Sequence, residues 1–306
     1  MARQPASLPP LDVTRAPEGG EIGPVQSGWR LALREFASNR LAVVGVAILL
    51  FFVVFCFLGP LLYHANLANT DLINAHDPPG AGHPLGTEVN GFDILGELMK
   101  GGQAALEIGF FAAFVAITIG ALVGAVAGLA GGIVDSTLMR VVDVFLSVPF
   151  LFVVLILAVR YGATVLSLSL VIGAFSWQVP ARLVRGEVLS IRERDFVHAA
   201  RVAGSGSWRL IGRHLLPNAL GVVIVNVTFQ VADAILAVAY VGFLGFGLHY
   251  PNLDWGDMIS DGVNYMQDGY WWLIYPVGVC IVLTVMALNF IGDALRDSFD
   301  VRLRRR

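Results

Sequence analysis

The chain has 306 residues, 56% of them hydrophobic and only 14% charged, with a net charge of −3 and a mean hydropathy of +0.72. Soluble domains carry about 25% charged residues, so an ordinary water-solvated domain is excluded. The near-neutral balance also excludes nucleic acid as a natural partner.

Residues 1–28 are rich in Pro and Gly and lack the apolar core of a cleavable signal, so they read as a flexible cytoplasmic tail. Trp29, Leu33 and Phe36 then recur at helical spacing among Arg30, Arg34 and Arg40. That pattern predicts a short helix lying in the headgroup layer, apolar side down.

A hydrocarbon core of about 30 Å needs about 20 helical residues. Six apolar runs meet that length, at 41–62, 108–134, 141–159, 161–181, 219–246 and 270–292. The first contains Cys56 and the last Cys280; both read as small embedded hydrophobes, with no disulfide framework. The second run is rich in Gly and Ala, which lets a neighbouring helix come close. Pro149 falls inside the third, where neighbouring helices can satisfy the backbone it frees. The third and fourth are separated only by the neighbourhood of Arg160 and form a helical hairpin. Longer connections run over 63–107, 182–218 and 247–269. The predicted fold is therefore all-α, with six transmembrane helices. Residues 29–103 hold the interfacial helix, the first span and an outer loop, and 104–306 form a five-helix core.

Lys and Arg set the orientation. With the N-terminus inside, eighteen of the 20 basic residues lie on the inner side, and only Lys100 and Arg160 lie outside. Both termini are therefore expected in the cytoplasm. The outer loops instead collect acids: Asp71, Asp77, Glu88, Asp93, Glu97, Asp254, Asp257, Asp261 and Asp268. Two readings stand: a face that attracts cations or a basic partner, or a plain solvated loop surface.

The inner connection 182–218 is the informative segment, because bundle helices usually join through about 2–8 residues. Good helix formers fill 185–203, and Val188, Ile191, Phe196, Ala199 and Ala200 give a partly apolar face. From Ala199 to Gly206 there is almost no side-chain bulk. A short helix of small residues ending in glycine can press into a groove on another protein, with Arg201, Arg209 and Arg213 placed to meet acids there. Pro217 suits the start of the next span.

This stretch resembles the EAA loop of the membrane subunits of binding-protein-dependent ABC importers. His198-Ala199-Ala200, Gly204 and Leu216-Pro217 stand at that loop's spacing, followed by Ser205 and Gly206 after the glycine. ASNRLAVVGVAILL (37–50), HPLGTEVNGFDILGELMKGG (83–102), GGIVDSTLMRVVDVFLSVP (131–149), GFLGFG (242–247), WGDMI (255–259) and LNFIGDALRDSFDVR (288–302) resemble, in order, the DppC/OppC-type permeases of the dipeptide/oligopeptide/nickel branch. The sequence departs from that branch at His198, where the loop usually has an acid. It departs again at Phe92, where the outer element usually has Arg, and at Val238, where Glu is often found.

The resemblance implies the transmembrane-domain fold of type I ABC importers, working in the bacterial inner membrane. It also implies a homologous second permease, two cytoplasmic ABC ATPases and an extracytoplasmic substrate-binding protein. The cargo would be a peptide, or alternatively nickel or another small solute. ATP and Mg would be bound by the ATPases. A Walker A loop needs a Lys on the phosphates, and the single Lys here is Lys100, followed by Gly101. The chain is accordingly expected to be a transport subunit and not an enzyme.

Asp233 sits midway along the fifth run. A carboxylate at that depth faces the bundle interior or a wet path; it is either a translocation-path residue or a buried structural acid. Glu107, at the outer edge of the second run, is expected to snorkel to the interface, and Asp143 to pair with Arg140. His64, His76 and His83 fit no metal-ligand spacing, so no metal site is expected. Trp255, Trp271 and Trp272 read as interface anchors. An intramembrane enzyme lacks candidate residues, since no run contains His. A stand-alone secondary transporter would accommodate Asp233 but leaves the long basic loop unexplained.

Overall fold

The computed structural model describes residues 28–304 except Asn66, Ala68 and His249; the expected tail lies outside the described residues. Helix α1 (Gly28–Ser38) occupies the expected interfacial segment and turns at Asn39 into α2 (Arg40–Phe57). Asn39 caps that second helix, its side-chain oxygen accepting from Leu41 N–H at 3.0 Å and Ala42 N–H at 3.4 Å. A single turn, α3 (Gly59–Leu62), closes the first span.

Helix α4 (Ile94–Ala130) is 37 residues long, about 55 Å at helical rise and far more than a bilayer needs. It starts at Ile94 and not near 108, and it runs through the boundary drawn between residues 103 and 104. Asp93 caps it, accepting from Gly96 N–H at 3.0 Å. Glu97 and Lys100 made its first turns look like loop. Glu97 is buried and Lys100 exposed on a helix that also buries Ile94, Leu98 and Met99. The helix ends at Gly131, whose φ of +65° favours glycine.

The third span is broken, not merely kinked. α5 (Gly132–Ser147) and α6 (Phe150–Tyr161) meet at 78°, because Pro149 cannot donate to the helix ladder. α7 (Val165–Ala174) and α8 (Gln178–Arg192) meet at 47°, and α8 carries helix well past the expected end at 181. Then follow α9 (Asp195–Val202), the turn α10 (Ser207–Leu210), a π-helical stretch Ile211–Leu215, and α11 (Leu216–Phe243). α12 (Trp255–Asn264) covers the outer end, and α13 (Tyr275–Arg304) completes the chain. Among the described residues four helical stretches are long and apolar enough to cross a membrane, and the two bent pairs raise that to six if each is one span.

The core is organised around α4, because glycine on three of its faces admits three neighbours. A Cβ at Gly109 would lie 2.8 Å from Ile235 Cγ1 of α11, and one at Gly102 2.3 Å from Cys56 Sγ of α2. Toward α8 the glycines form a stripe. A Cβ at Gly120 would meet Pro180 at 2.6 Å, at Gly124 the Ala181 carbonyl oxygen at 2.4 Å, and at Gly128 Val188 at 2.7 Å. Small residues every four positions let two helix backbones touch, the usual means of helix association in lipid.

Replacing Gly124 by Ala should therefore destabilise the detergent-solubilised chain by about 1–3 kcal/mol through overpacking. Gly278→Ala lies in α13, where a Cβ meets nothing within 4 Å; it should leave the midpoint unchanged or raise it, since Ala is favoured over Gly in a helix by about 0.5–1 kcal/mol. Thermal unfolding of both variants checks this, and equal shifts would count against the close-packed stripe.

Candidate functional site

The segment after α8 is built on one buried side chain. Val197, 0% exposed, plugs α9 into a cluster formed by Val184, Val188 and Ile191 of α8, Leu210, Ile211 and Leu215, Ala219 of α11 and Ala125 of α4. α9 is thus short but anchored to both long helices of the core. Its other face is bare: His198, Ala199 and Arg201 are exposed, Ala200 is half-buried, and Val202 is 90% exposed. Trp208, 74% exposed, stands beside it, with Arg209 and Arg213 also exposed. Such uncovered apolar side chains next to arginines are the composition of a contact surface.

Gly204 has a specific local reason to be glycine. Its φ is +84°. Ser205 N–H donates to the Ala200 carbonyl at 3.0 Å and Gly204 N–H to the Arg201 carbonyl at 3.0 Å. This is a Schellman cap that ends α9. Nothing lies within 4 Å of a Cβ placed at Gly204 or Gly206, so the surroundings of both are open. Beyond them the π-helical stretch leads into Leu216 and Pro217, which open α11, and Asn218 Nδ2 donates back to the His214 carbonyl at 2.6 Å.

Ion pairs tie this end together. Arg185 of α8 grips Asp135 of α5 with two hydrogen bonds, at 2.5 and 2.6 Å. Arg192 Nη1 donates to the Gly128 carbonyl at 2.9 Å, at the end of the glycine stripe. Asp143 pairs with Arg182 and not with Arg140 as expected, because the bend at Pro149 lays α5 alongside α8.

Asp233 lies on the α11 face that the chain's own helices leave uncovered, between buried Ala232 and Ala234. It makes no hydrogen bond or ion pair with any described residue. Asn226 and Tyr240 share that face at seven-residue spacing, and Tyr240 is 54% exposed. Val238 points the other way, 1% exposed among Ala104, Ile108 and Val241; an acid there would be buried in an apolar cluster.

The end of the bundle where α4 begins and α11 ends is a compact cap, and several residues expected at the surface of the outer loops are interior there. Asp93 accepts from Tyr63 Oη at 2.7 Å and pairs with His83 at 2.9 Å, while also capping α4. Burial and that bond to Asp93 push the Tyr63 phenol up to about 12. Asp254 is 0% exposed, its carboxylate accepting from the N–H groups of Leu248, Gly256 and Asp257 at 2.8 to 2.9 Å. Trp255 and Trp272 are not interface anchors: they are 1% and 7% exposed and donate to the carbonyls of Leu98 and Thr87. Trp271, 51% exposed, keeps that possibility. His76 stacks on Tyr270 and packs at a tilt against Tyr265, and Phe92 stacks on Tyr250. Glu107 joins Lys100 and Gln103 along a cavity of about 660 Å³.

A family model described as the binding-protein-dependent transport system inner membrane component matches residues 106–305. Another, the N-terminal TM domain of oligopeptide transport permease C, matches residues 27–79. The oligopeptide transport system permease protein OppC of Escherichia coli strain K12 is 39% identical over 281 residues, covering 91% of this chain and 93% of that protein. The dipeptide transport system permease protein DppC of Bacillus subtilis strain 168 is 36% identical over 280 residues, covering 92% and 86%. A chain in the inward-facing MetNI methionine ABC transporter superposes with a TM-score of 0.53 at 23% identity, covering 66% of this chain and 95% of that one. That last likeness is one of fold.

The anchoring of α9 is testable without any partner. Val197→Ala removes buried methyls worth about 1–3 kcal/mol and should raise amide hydrogen exchange across 195–202. Val202→Ala, at an uncovered site, should leave that exchange as it is.

Proposed function

This chain belongs to the family of binding-protein-dependent transport system inner-membrane components, and from that premise we propose that it is one membrane subunit of an ATP-driven peptide importer. It is a multi-pass protein of the inner membrane, and its relatives are permease subunits of peptide ABC transporters. In our reading it pairs with a homologous permease, receives cargo from an extracytoplasmic binding protein, and is driven by two cytoplasmic ABC ATPases that bind ATP and Mg.

The observation that carries this reading is α9: a short helix held by Val197 yet bare on its outer side, with small residues and arginines there. His198, Ala199, Ala200, Arg201, Ser205 and Gly206 would seat in a groove of the ATPase. When nucleotide closes the ATPases, the pull on α9 would pass through Val197 to α8, α4 and α11. Leu216 and Pro217 set the start of α11, so the same pull would tilt the helix that carries Asp233. The uncovered face of α11 would then line the path shared with the second permease. His198, where an acid is usual, would change the charge of the contact without adding bulk at its centre.

The orientation follows from the arginines: both termini and α9 in the cytoplasm, α12 and the 83–97 element outside. Single cysteines placed at residue 75 and at the exposed Asn264 should label with an impermeant maleimide in intact cells, and one at 205 should label only after permeabilisation. Labelling of 205 from outside would reverse the topology and remove the coupling role.

Coupling itself is best tested at Ala199. A bulky residue at Gly204 would also strain a positive φ, whereas Ala199 is an exposed helical position with ordinary geometry. Ala199→Trp should leave insertion and folding intact and reduce ATP-driven uptake by tenfold or more, since overpacking an interface costs about 1–3 kcal/mol. Uptake at the wild-type rate would end the docking role of this face.

A further inference from the structure

The outer cap holds a second, smaller cavity of about 150 Å³, between the start of α4, the turn 88–92 and α12. Four acids line it, Glu88, Glu97, Asp257 and Asp261, with no Lys, Arg or His among the described lining residues. Glu97 is the unusual member. It is only 6% exposed, and its carboxylate makes no hydrogen bond or ion pair with any described residue. A buried carboxylate in that situation either takes up a proton or waits for a cation from elsewhere.

The surroundings favour a cation. Glu88 is fixed beside the cavity by its turn, its carboxylate accepting from the N–H groups of Asn90 and Phe92 at 2.8 and 3.1 Å. Lys100, three residues beyond Glu97, is exposed and lines the separate, larger cavity. His83 is already engaged by Asp93. The aromatic wall adds to the negative character: Phe92 and Tyr250 stack with centroids 5.7 Å apart and planes within 5°. Rings of this kind attract Lys and Arg head groups.

Size and geometry narrow the occupant. Water takes about 30 Å³ per molecule in the liquid, so the cavity fits a side-chain head group and not a peptide. Among the described residues no three His, Cys, Asp or Glu side chains are grouped to hold a metal ion. We propose that this cavity is a docking socket for a lysine or arginine side chain of an extracytoplasmic protein that seats on the outer cap. Glu97 is its buried counter-charge and Phe92–Tyr250 its wall. The proposal rests on the importer reading above, in which a binding protein approaches from this side.

The test uses the assembled membrane complex in lipid nanodiscs. Carboxyl groups are modified with a carbodiimide and glycine ethyl ester, and modified Glu97 is counted by mass spectrometry. Binding protein at saturation should protect Glu97, agmatine should protect it at high concentration, and NaCl of equal ionic strength should not. Glu97→Gln keeps the shape and removes the charge; it should weaken binding-protein affinity by roughly tenfold or more, as loss of a desolvated charge partner does. Phe92→Arg supplies a guanidinium from within and should weaken it likewise. Equal Glu97 labelling with and without binding protein, together with wild-type affinity in both variants, would overturn the socket. Protection by cargo peptide alone would overturn it in favour of a cargo contact. Stimulation of wild-type ATP hydrolysis by binding protein reports on the importer reading independently, so the two can fail separately.

Discussion

A methyl group at Gly120, Gly124 or Gly128 would overlap α8, so the α4–α8 contact exists only because those three side chains are absent. Little apolar driving force separates helix from lipid inside a membrane, and close backbone contact is what holds such helices together. The consequence reaches beyond stability. α8 is pressed against α4 along three turns, then tied at its end by Arg192 to the Gly128 carbonyl and by Arg185 to Asp135. The helix that leads to α9 therefore has no freedom to slide independently of the bundle.

α9 inherits that rigidity through Val197 and keeps its other face bare. Smallness in the 199–206 stretch has two separate causes. Gly204 is glycine because the chain must turn with positive φ to end the helix. Ala199 is small for no reason within this chain, since it is exposed, which is why the reason is sought in a partner. The outer cap follows the opposite logic: Asp93 and Asp254 are spent on capping helices, and Glu97 is left without a described partner.

Much of this was legible in the sequence, and the exceptions share a cause. Apolar runs reported the candidate spans, because charged side chains are costly in hydrocarbon. The good helix formers over 185–203 are helical, though broken between α8 and α9, and Gly204 ends α9. The start of α4 is hidden because Glu97 and Lys100 look like loop residues, and nothing in the sequence says that Glu97 is buried. Trp255, Trp272 and Asp254 were read as surface because composition cannot reveal that a short outer helix folds back over the bundle. Val197 carried no signal: one valine among several gives no hint that it is the plug. The glycines at 120, 124 and 128 were visible as a small-residue face, but the sequence could not say which helix fills it.

The central claim is that α4, α8 and α9 move as one body. It can be measured with spin labels at Ala130, the exposed last residue of α4, and at Asp195, the exposed first residue of α9. Pulsed dipolar spectroscopy on the assembled transporter, with and without a non-hydrolysable ATP analogue, gives the distance between them. The account predicts one narrow distance, unchanged by nucleotide, while the bundle around it rearranges. A shifted or second distance with nucleotide would mean that α9 moves on its own, and that the glycine stripe does not transmit the stroke.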